Sequence, residues 1–374
     1  MAAQQVVLPF PNLRILLDYR PALRQRTGVG EYAHEIASAL VRQLDSDDTL
    51  ALFSSSWKDR LPRTAVPGAR TLDLKVPVRI LNFAWHRLGR PPVERFAGGV
   101  DIAHSMHPLL MPATRARQVV TVHDLDFLDH PERTRGEIRR DYATLAAPHA
   151  RRAAAVVVVS EFTAGEVSRR LGVERERMVI CSPGAPAWQP RAEPAPNGPI
   201  LFMGTLEPRK NLGVLLDAYA RLRQARPDAP PLWIAGAATP AAAPWLRAIE
   251  QAPLKGHVRH LGYIDAGDRQ ALYAQASMLV LPSHLEGFGM PSLEAMATGV
   301  PVIVSNRGAL PEVAGDAAQI VEADDAAGFA AAMQRYLTDS GAMRLAIERG
   351  LVRARHYSWD RSAAALLDRY RQIV

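Results

Sequence analysis

Short apolar runs alternate along the chain with longer stretches in which apolar positions recur every three or four residues. Residues 14–18 (RILLD) read as a short buried strand. After the loop YRPALRQRTGVG, residues 31–44 place Ile36, Leu40 and Leu44 on one face of a helix. Further strands are predicted at 49–53, 101–104, 118–122 and 154–159, with helical stretches between them. From residue 200 the alternation restarts. Strands are predicted at 200–203, 232–235, 258–261, 278–281 and 301–304, and helices near 212–224, 266–276 and 290–298. Strand and helix in turn predict α/β architecture: doubly wound parallel sheets with helices on both faces.

The break between the two series is PGAPAWQPRAEPAPNGP, residues 183–199, with six prolines in seventeen positions. So many fixed φ angles and missing N–H groups cannot continue a strand or a helix. The expected division is therefore a first Rossmann-like domain over 1–185, a hinge over 186–199, a second such domain over 200–355 and a final segment, 356–374. Its helix, about 358–370, is expected to pack back toward the first domain. At 374 residues the chain is long enough for two cores. Ligands in such sheets sit beyond the carboxyl ends of the strands, which predicts a cleft between the domains.

Charge and composition narrow the classes. The net charge is +7, and residues 1–190 carry +6 of it. A basic first half suits an anionic partner, whether a membrane surface, a phosphorylated lipid or nucleic acid; a solvated arginine-rich surface reads equally well. The single cysteine, Cys181, excludes a disulfide framework and fits a reducing cytoplasm. The start MAAQQVVLPFPNLRILL is a poor leader peptide, with no basic residue ahead of its apolar part. The longest plain apolar run, 153–159, falls far short of the roughly 20 residues that a membrane helix needs.

The chemistry concentrates in HLEGFGMPSLEAMATGVPVI, residues 284–303. A glycine-containing loop leads into a helix whose first turn carries Pro291. The free N–H groups and positive dipole end of that helix favour a phosphate or a developing anion. Gly287 and Gly289 allow close approach of backbone to ligand. Glu286 and Glu294 lie on either side of the helix start. Two acids make a poor phosphate trap, but they suit hydroxyl groups, one on a ribose and one on a sugar, with the loop holding phosphates between. That describes a nucleotide sugar. Directly after strand 200–203 comes GTLEPRKN, in which Gly204 permits close approach and Arg209 and Lys210 can neutralise a diphosphate as its charge develops.

Together these stretches resemble the retaining glycosyltransferases of family 4, with GT-B architecture, over nearly the whole chain. Glu286-Gly-Phe-Gly-Met-Pro-Ser-Leu-Glu294 is the E-x7-E signature, extended by GVP at 299–301 and GALPEVAGDAA at 308–318. TGVGEYAHEIASAL, HDLDFL, VSEFTAGEV and YSW also match. Within the family the chain looks nearest to bacterial mannosyltransferases of surface-polysaccharide assembly, such as those of lipopolysaccharide. The resemblance implies that Glu294 binds the donor ribose and Glu286 the transferred sugar. It implies backbone contacts from Phe288, Gly289 and Met290 to sugar and phosphate. Arg209 and Lys210 would hold the diphosphate, and Gly28 and Gly30 would close its other side. His123 would line the sugar near the reacting carbon, and Tyr263 and Ile264 would hold the base through backbone contacts. Many members carry arginine after the glycine at position 204; here Thr205 stands there, and Arg209 is the natural substitute.

The implied reaction uses no metal and no cofactor. It moves a hexose from a nucleotide diphosphate, GDP-mannose above others, to a hydroxyl of a polyprenyl-linked glycan or polysaccharide, with retained configuration. The enzyme would be cytoplasmic, resting peripherally on the inner membrane face, with no nucleic acid partner. The expected transition state has oxocarbenium character. Other readings stay open. Asp124-x-Asp126 resembles a metal-binding pair, and His104-x-x-His107 has no third ligand at metal-site spacing. Gly28-x-Gly30-x-x-Ala33 formally fits a nicotinamide fingerprint, although nine residues separate it from the strand. A non-catalytic sugar-nucleotide-binding protein of the same fold is a further alternative. Residues 79–90 (RILNFAWHRLGR) mix apolar and basic side chains as a membrane-surface helix does, or as an ordinary packed helix with an arginine rim. The acceptor-binding residues are not readable.

Overall fold

A run that is apolar at every position has no face to offer water, so a strand built from it must be covered on both sides. Such runs form the middle of two all-parallel sheets in the computed structural model, which describes residues 12–374 apart from 24, 25, 27, 134 and 135. The segment read above as a poor leader lies, up to residue 11, outside the described residues, as does Thr27 of the TGVG stretch. The chain divides into two units. One comprises residues 1–158, 164–181 and 359–374; the other comprises 159–163 and 182–358.

The first unit holds seven strands: β1 (Arg14–Asp18), β2 (Thr49–Ser55), β3 (Arg70–Leu74), β4 (Ile102–Ser105), β5 (Arg117–Val122), β6 (Ala155–Val158) and β7 (Met178–Ile180). Their order is β3-β2-β1-β4-β5-β6-β7, with Leu16 between Ala51 and Ala103. The second unit holds β8 (Ile200–Met203), β9 (Leu232–Ala235), β10 (Val258–Gly262), β11 (Met278–Leu281), β12 (Val302–Ser305) and β13 (Ala318–Val321), ordered β10-β9-β8-β11-β12-β13. In both sheets the order reverses beside the first strand, as in doubly wound dinucleotide-binding folds. All the strands of a sheet run parallel, so their carboxyl ends line one edge and the loops that follow them gather there.

Local differences from the sequence expectation have physical causes. The helix expected at 31–44 spans Gly28–Val41, and Leu44 bonds back to the Leu40 carbonyl in a closing turn. The expectation lacked β3, β7 and β13, which are short edge strands, mostly half-buried. The proline-rich stretch read above as a hinge falls within the second unit. Arg191 holds it there, donating to the carbonyls of Ala276 (2.5 Å) and Gly299 (3.0 Å). The last helix, Trp359–Ile373, buries Trp359, Ala363, Leu366, Leu367 and Tyr370 along one stripe. It packs on the Gly28–Val41 helix and belongs to the first unit. Tyr370 Oη meets His104 Nδ1 at 2.5 Å, and Arg371 pairs with Asp45 and Asp48. No described helix is long and apolar enough to cross a membrane.

Candidate active site

In the second unit, β11 ends at Leu281 and the chain turns through Ser283–Gly289 into the helix Met290–Thr298. Gly289 caps that helix at φ +95°, and a Cβ there would lie 2.6 Å from Leu310 Cδ2. Only glycine fits both the backbone angle and the space. Gly308 presses on the same loop from beyond β12: at φ +62°, its Cβ would lie 2.5 Å from the Glu286 carbonyl oxygen. The Gly287 carbonyl accepts hydrogen bonds from the Ser160 (2.7 Å) and Thr163 (3.1 Å) hydroxyls. Phe288 is buried, its ring meeting Tyr357 edge-on at 5.3 Å. The loop is therefore clamped by side chains distant in sequence. Pro291 has no N–H and the Ser292 amide bonds back to the Gly289 carbonyl at 2.9 Å, which leaves the Met290 amide and the helix dipole as the positive end of this junction.

Glu286 is the centre of a buried charge cluster. Lys210 Nζ donates to its Oε1 at 2.5 Å, and Ser283 Oγ donates to the same oxygen at 2.8 Å. Arg209 Nη1 reaches its Oε2 at 3.3 Å and the Leu285 carbonyl at 3.1 Å. Glu286 and Lys210 are both nearly inaccessible. Burial alone would raise the Glu286 pKa, but the charges of Lys210 and Arg209 and the hydrogen bonds from Lys210 and Ser283 outweigh it and hold the carboxyl below its usual range. The two cations come from the turn after β8, Pro208–Lys210, which ends at Asn211 in the left-handed conformation. Asn211 Nδ2 donates to the carbonyls of Pro282 (3.1 Å) and Ala323 (2.7 Å), tying the β8 and β11 loops together. Gly204 lies beside the Lys210 stem, where a Cβ would touch Cε at 3.5 Å. Thr205 is half-buried, and its carbonyl accepts from the Glu207 amide.

Glu294 lies on the second turn of the helix and is nearly buried. Arg269 Nη1 donates to its Oε1 at 2.6 Å and Tyr273 Oη to its Oε2 at 2.8 Å. Both partners lie on the helix Ala266–Gln275, one turn apart. Tyr273 packs against Trp188, with ring centroids 5.9 Å apart. Tyr263 and Ile264 are half-buried directly after β10. The sequence reading separated the acids, for hydroxyls, from the cations, for phosphate. The structure instead places Lys210 and Arg209 on Glu286 and brings Arg269 to Glu294. Ser283, Arg269 and Tyr273 were missed. Their one signal was the i, i+4 spacing of Arg269 and Tyr273, which puts both on one helical face.

In the first unit, His123 follows β5. Its Nε2 lies 3.3 Å from the Met106 carbonyl, and its ring meets Tyr32 edge-on at 4.9 Å. The residue is half-buried, and burial pushes the imidazole down to about 4, so it is neutral at physiological pH. Gly28 opens the Gly28–Val41 helix. Gly30 is buried against the turn Arg20–Ala22, where a Cβ would lie 2.6 Å from the Pro21 carbonyl oxygen. That intervening turn separates the Gly-x-Gly-x-x-Ala run from β1, unlike the tight strand-to-helix turn of a nicotinamide site. Asp124 accepts from the Asp126 amide (3.2 Å), closing a local turn. His104 is fully buried between Tyr370 and Thr121, which assigns its side chain to the core.

Residues 26–189 match the family described as Glycosyltransferase Family 4, and residues 189–351 match Glycosyl transferases group 1. The chain is similar to O-antigen chain mannosyltransferase B of Escherichia coli, at 29% identity over 96% of this chain and 100% of that one. It resembles in fold the sucrose-phosphate synthase of Thermosynechococcus elongatus (TM-score 0.78, 21% identity, covering 96% of this chain and 99% of that one). It likewise resembles HepE of Anabaena, solved with UDP and glucose (TM-score 0.72, 17% identity, covering 96% and 100%). These folds are of the GT-B type.

Proposed function

The chain belongs to the glycosyltransferases, family 4 over its first half and group 1 over its second, and from that premise we propose that it transfers a hexose, mannose before others, from a nucleotide-diphosphate sugar to a hydroxyl of a lipid-linked or polysaccharide acceptor, with retention and without a metal. One observation carries the site assignment: Lys210 and Arg209 converge on Glu286 in the loop that leads into the Met290–Thr298 helix. Two fixed cations and a helix start supply positive charge where a diphosphate gathers negative charge. Glu286 keeps the cations in place and offers its carboxylate to hydroxyls of the sugar. Glu294, oriented by Arg269 and Tyr273, takes the ribose. Backbone at Gly204, Thr205 and 287–290 approaches the phosphates, and Tyr263 and Ile264 the base. Gly28, Gly30 and His123 are the first unit's contributions. Mannose is favoured by the full-length similarity to O-antigen chain mannosyltransferase B, and GDP-mannose is the donor to try first.

In the proposed step, the bond from the sugar C1 to the diphosphate oxygen breaks and its electron pair leaves with the diphosphate. The acceptor oxygen bonds C1 from the same face. Its proton passes to the departing phosphate oxygen, so no protein carboxylate is needed as nucleophile. Preorganised charge and positioning account for the protein's part. The test is nucleoside-diphosphate release across a panel of nucleotide sugars, followed by the anomeric configuration of the product by NMR, with and without EDTA. Release with one nucleotide hexose, a retained linkage and indifference to EDTA are expected. No release with any nucleotide sugar would overturn the transfer reading; inversion or EDTA sensitivity would overturn retention or metal independence separately.

A further inference from the structure

The loop that carries Glu286 has two carbonyls aimed at fixed donors. The Glu286 carbonyl accepts from the Ala309 amide at 2.9 Å, and the Gly287 carbonyl accepts from the Ser160 and Thr163 hydroxyls at 2.7 and 3.1 Å. A trans peptide is planar, with its N–H opposite its C=O. Holding those two oxygens therefore fixes two amides as well. The Gly287 amide points away from Ala309, and the Phe288 amide points away from Ser160 and Thr163. Both residues are buried, and neither amide has an acceptor among the described residues. Buried amides are nearly always paired, so two adjacent ones left over mark donors kept for a ligand.

The holders are themselves held. Ser160 and Thr163 are fully buried. They belong with residues 159–163 to the second unit and lie at the start of the helix Glu161–Leu171. Ser160 Oγ caps that helix by accepting from the Thr163 amide at 3.0 Å. The amides of Glu161 and Phe162 each donate to one oxygen of the Glu312 carboxylate, both at 2.9 Å. A carboxylate there also meets the positive end of the helix dipole. Glu312 lies on the short helix Leu310–Ala314, directly after Ala309, and its own carbonyl accepts from Arg353 Nη2 at 2.5 Å. One segment, 309–312, thus sets both loop carbonyls: the first through the Ala309 amide, the second through Glu312 by way of Ser160 and Thr163. Resting on the transferase reading, we propose that Glu312, Ser160 and Thr163 are positioning residues of the transfer reaction, holding the peptide planes at 286–288 so that the Gly287 and Phe288 amides meet the donor's diphosphate. Donors fixed before the reaction cost no reorganisation as charge develops on the departing diphosphate. A clamp that served folding alone would lower stability and leave the preference for a phosphorylated ligand unchanged.

The test titrates the full chain with GDP, UDP, ADP and dTDP, each against its own nucleoside, by ligand-observed NMR, beside kcat and KM for the matching nucleotide sugars. Thr163→Val keeps the shape of the side chain and loses the hydroxyl. It is expected to weaken the bound diphosphate and lower kcat, each about tenfold, while affinity for the nucleoside stays within about twofold. Ser160→Ala joined to Thr163→Val removes both hydroxyls and should lower kcat about a hundredfold. Glu312→Gln can accept from one of the two amides but turns an N–H toward the other, and should show the same selective loss of about tenfold. Thr163→Ser keeps a hydroxyl and should recover most of what Thr163→Val loses. Equal losses for diphosphate and nucleoside, or wild-type kcat in both Thr163→Val and Glu312→Gln, would overturn the proposal and leave the transferase reading standing. A wild type that binds none of the diphosphates and turns over none of the donors would overturn both.

Discussion

Lys210 and Glu286 show how a single buried contact can serve both stability and turnover. Removing one partner of a buried pair strands the other charge, at a typical cost of about 3–5 kcal/mol. Lys210→Met is therefore expected to lower the unfolding free energy of the second unit by about 3 kcal/mol and turnover by about 10²–10³-fold. Denaturant titration and nucleoside-diphosphate release measure the two losses. Unchanged turnover in a folded variant would remove Lys210 from the diphosphate. Tyr273 tests the other acid. Tyr273→Phe takes one hydrogen bond from the Glu294 carboxylate without touching the reacting centre, so the donor KM should rise about tenfold while kcat holds. Glu294→Ala should weaken free nucleoside diphosphate and donor alike by calorimetry; equal affinities would sink the ribose assignment.

At the scale of elements, the loop-to-helix junction is where substitution discriminates. Gly289→Ala forces a side chain into φ +95° and against Leu310, and should cost about 1–3 kcal/mol while displacing the helix start. Gly28→Ala has no neighbouring atom within 4 Å and a helical position, so it should be neutral or stabilise by up to about 1 kcal/mol. Thermal melts of the two variants check the contrast. The same elements show what the sequence made legible. Strands β1, β8, β9 and β11 and the helix Met290–Thr298 have the bounds read from sequence, because apolar runs and a Gly-Pro start mark their ends. β3, RTLDL, with Arg70 exposed and the other four residues half-buried, carries no such mark. Glu286 and Glu294 were readable as a pair flanking a helix start. Their partners were not, since Arg269 and Tyr273 reach Glu294 from another helix across a distance that only packing sets.

At the scale of the whole molecule, acid should act on the two units unequally. Burial pushes His104 down to about 3 and His123 and His149 to about 4, all in the first unit. In the unfolded chain these imidazoles titrate near 6.5. Between about 6.5 and 4 the unfolded state therefore binds protons that the folded state refuses, and stability falls as pH falls. Each such histidine steepens that slope by up to about 1.4 kcal/mol per pH unit. Calorimetric scans should show the first unit's transition moving to lower temperature through this window, less so in His104→Gln. A transition that does not move would contradict the burial of these rings. The division of the chain has a consequence for synthesis. The first unit includes residues 359–374, whose helix covers the Gly28–Val41 helix and meets His104 through Tyr370. While a ribosome is still translating the second unit, the first has lost none of its strands but lacks one wall. Its seven-stranded sheet has to wait, unfinished and in need of protection from aggregation, until the codons for residues 359–374 have been read and their product has cleared the exit tunnel.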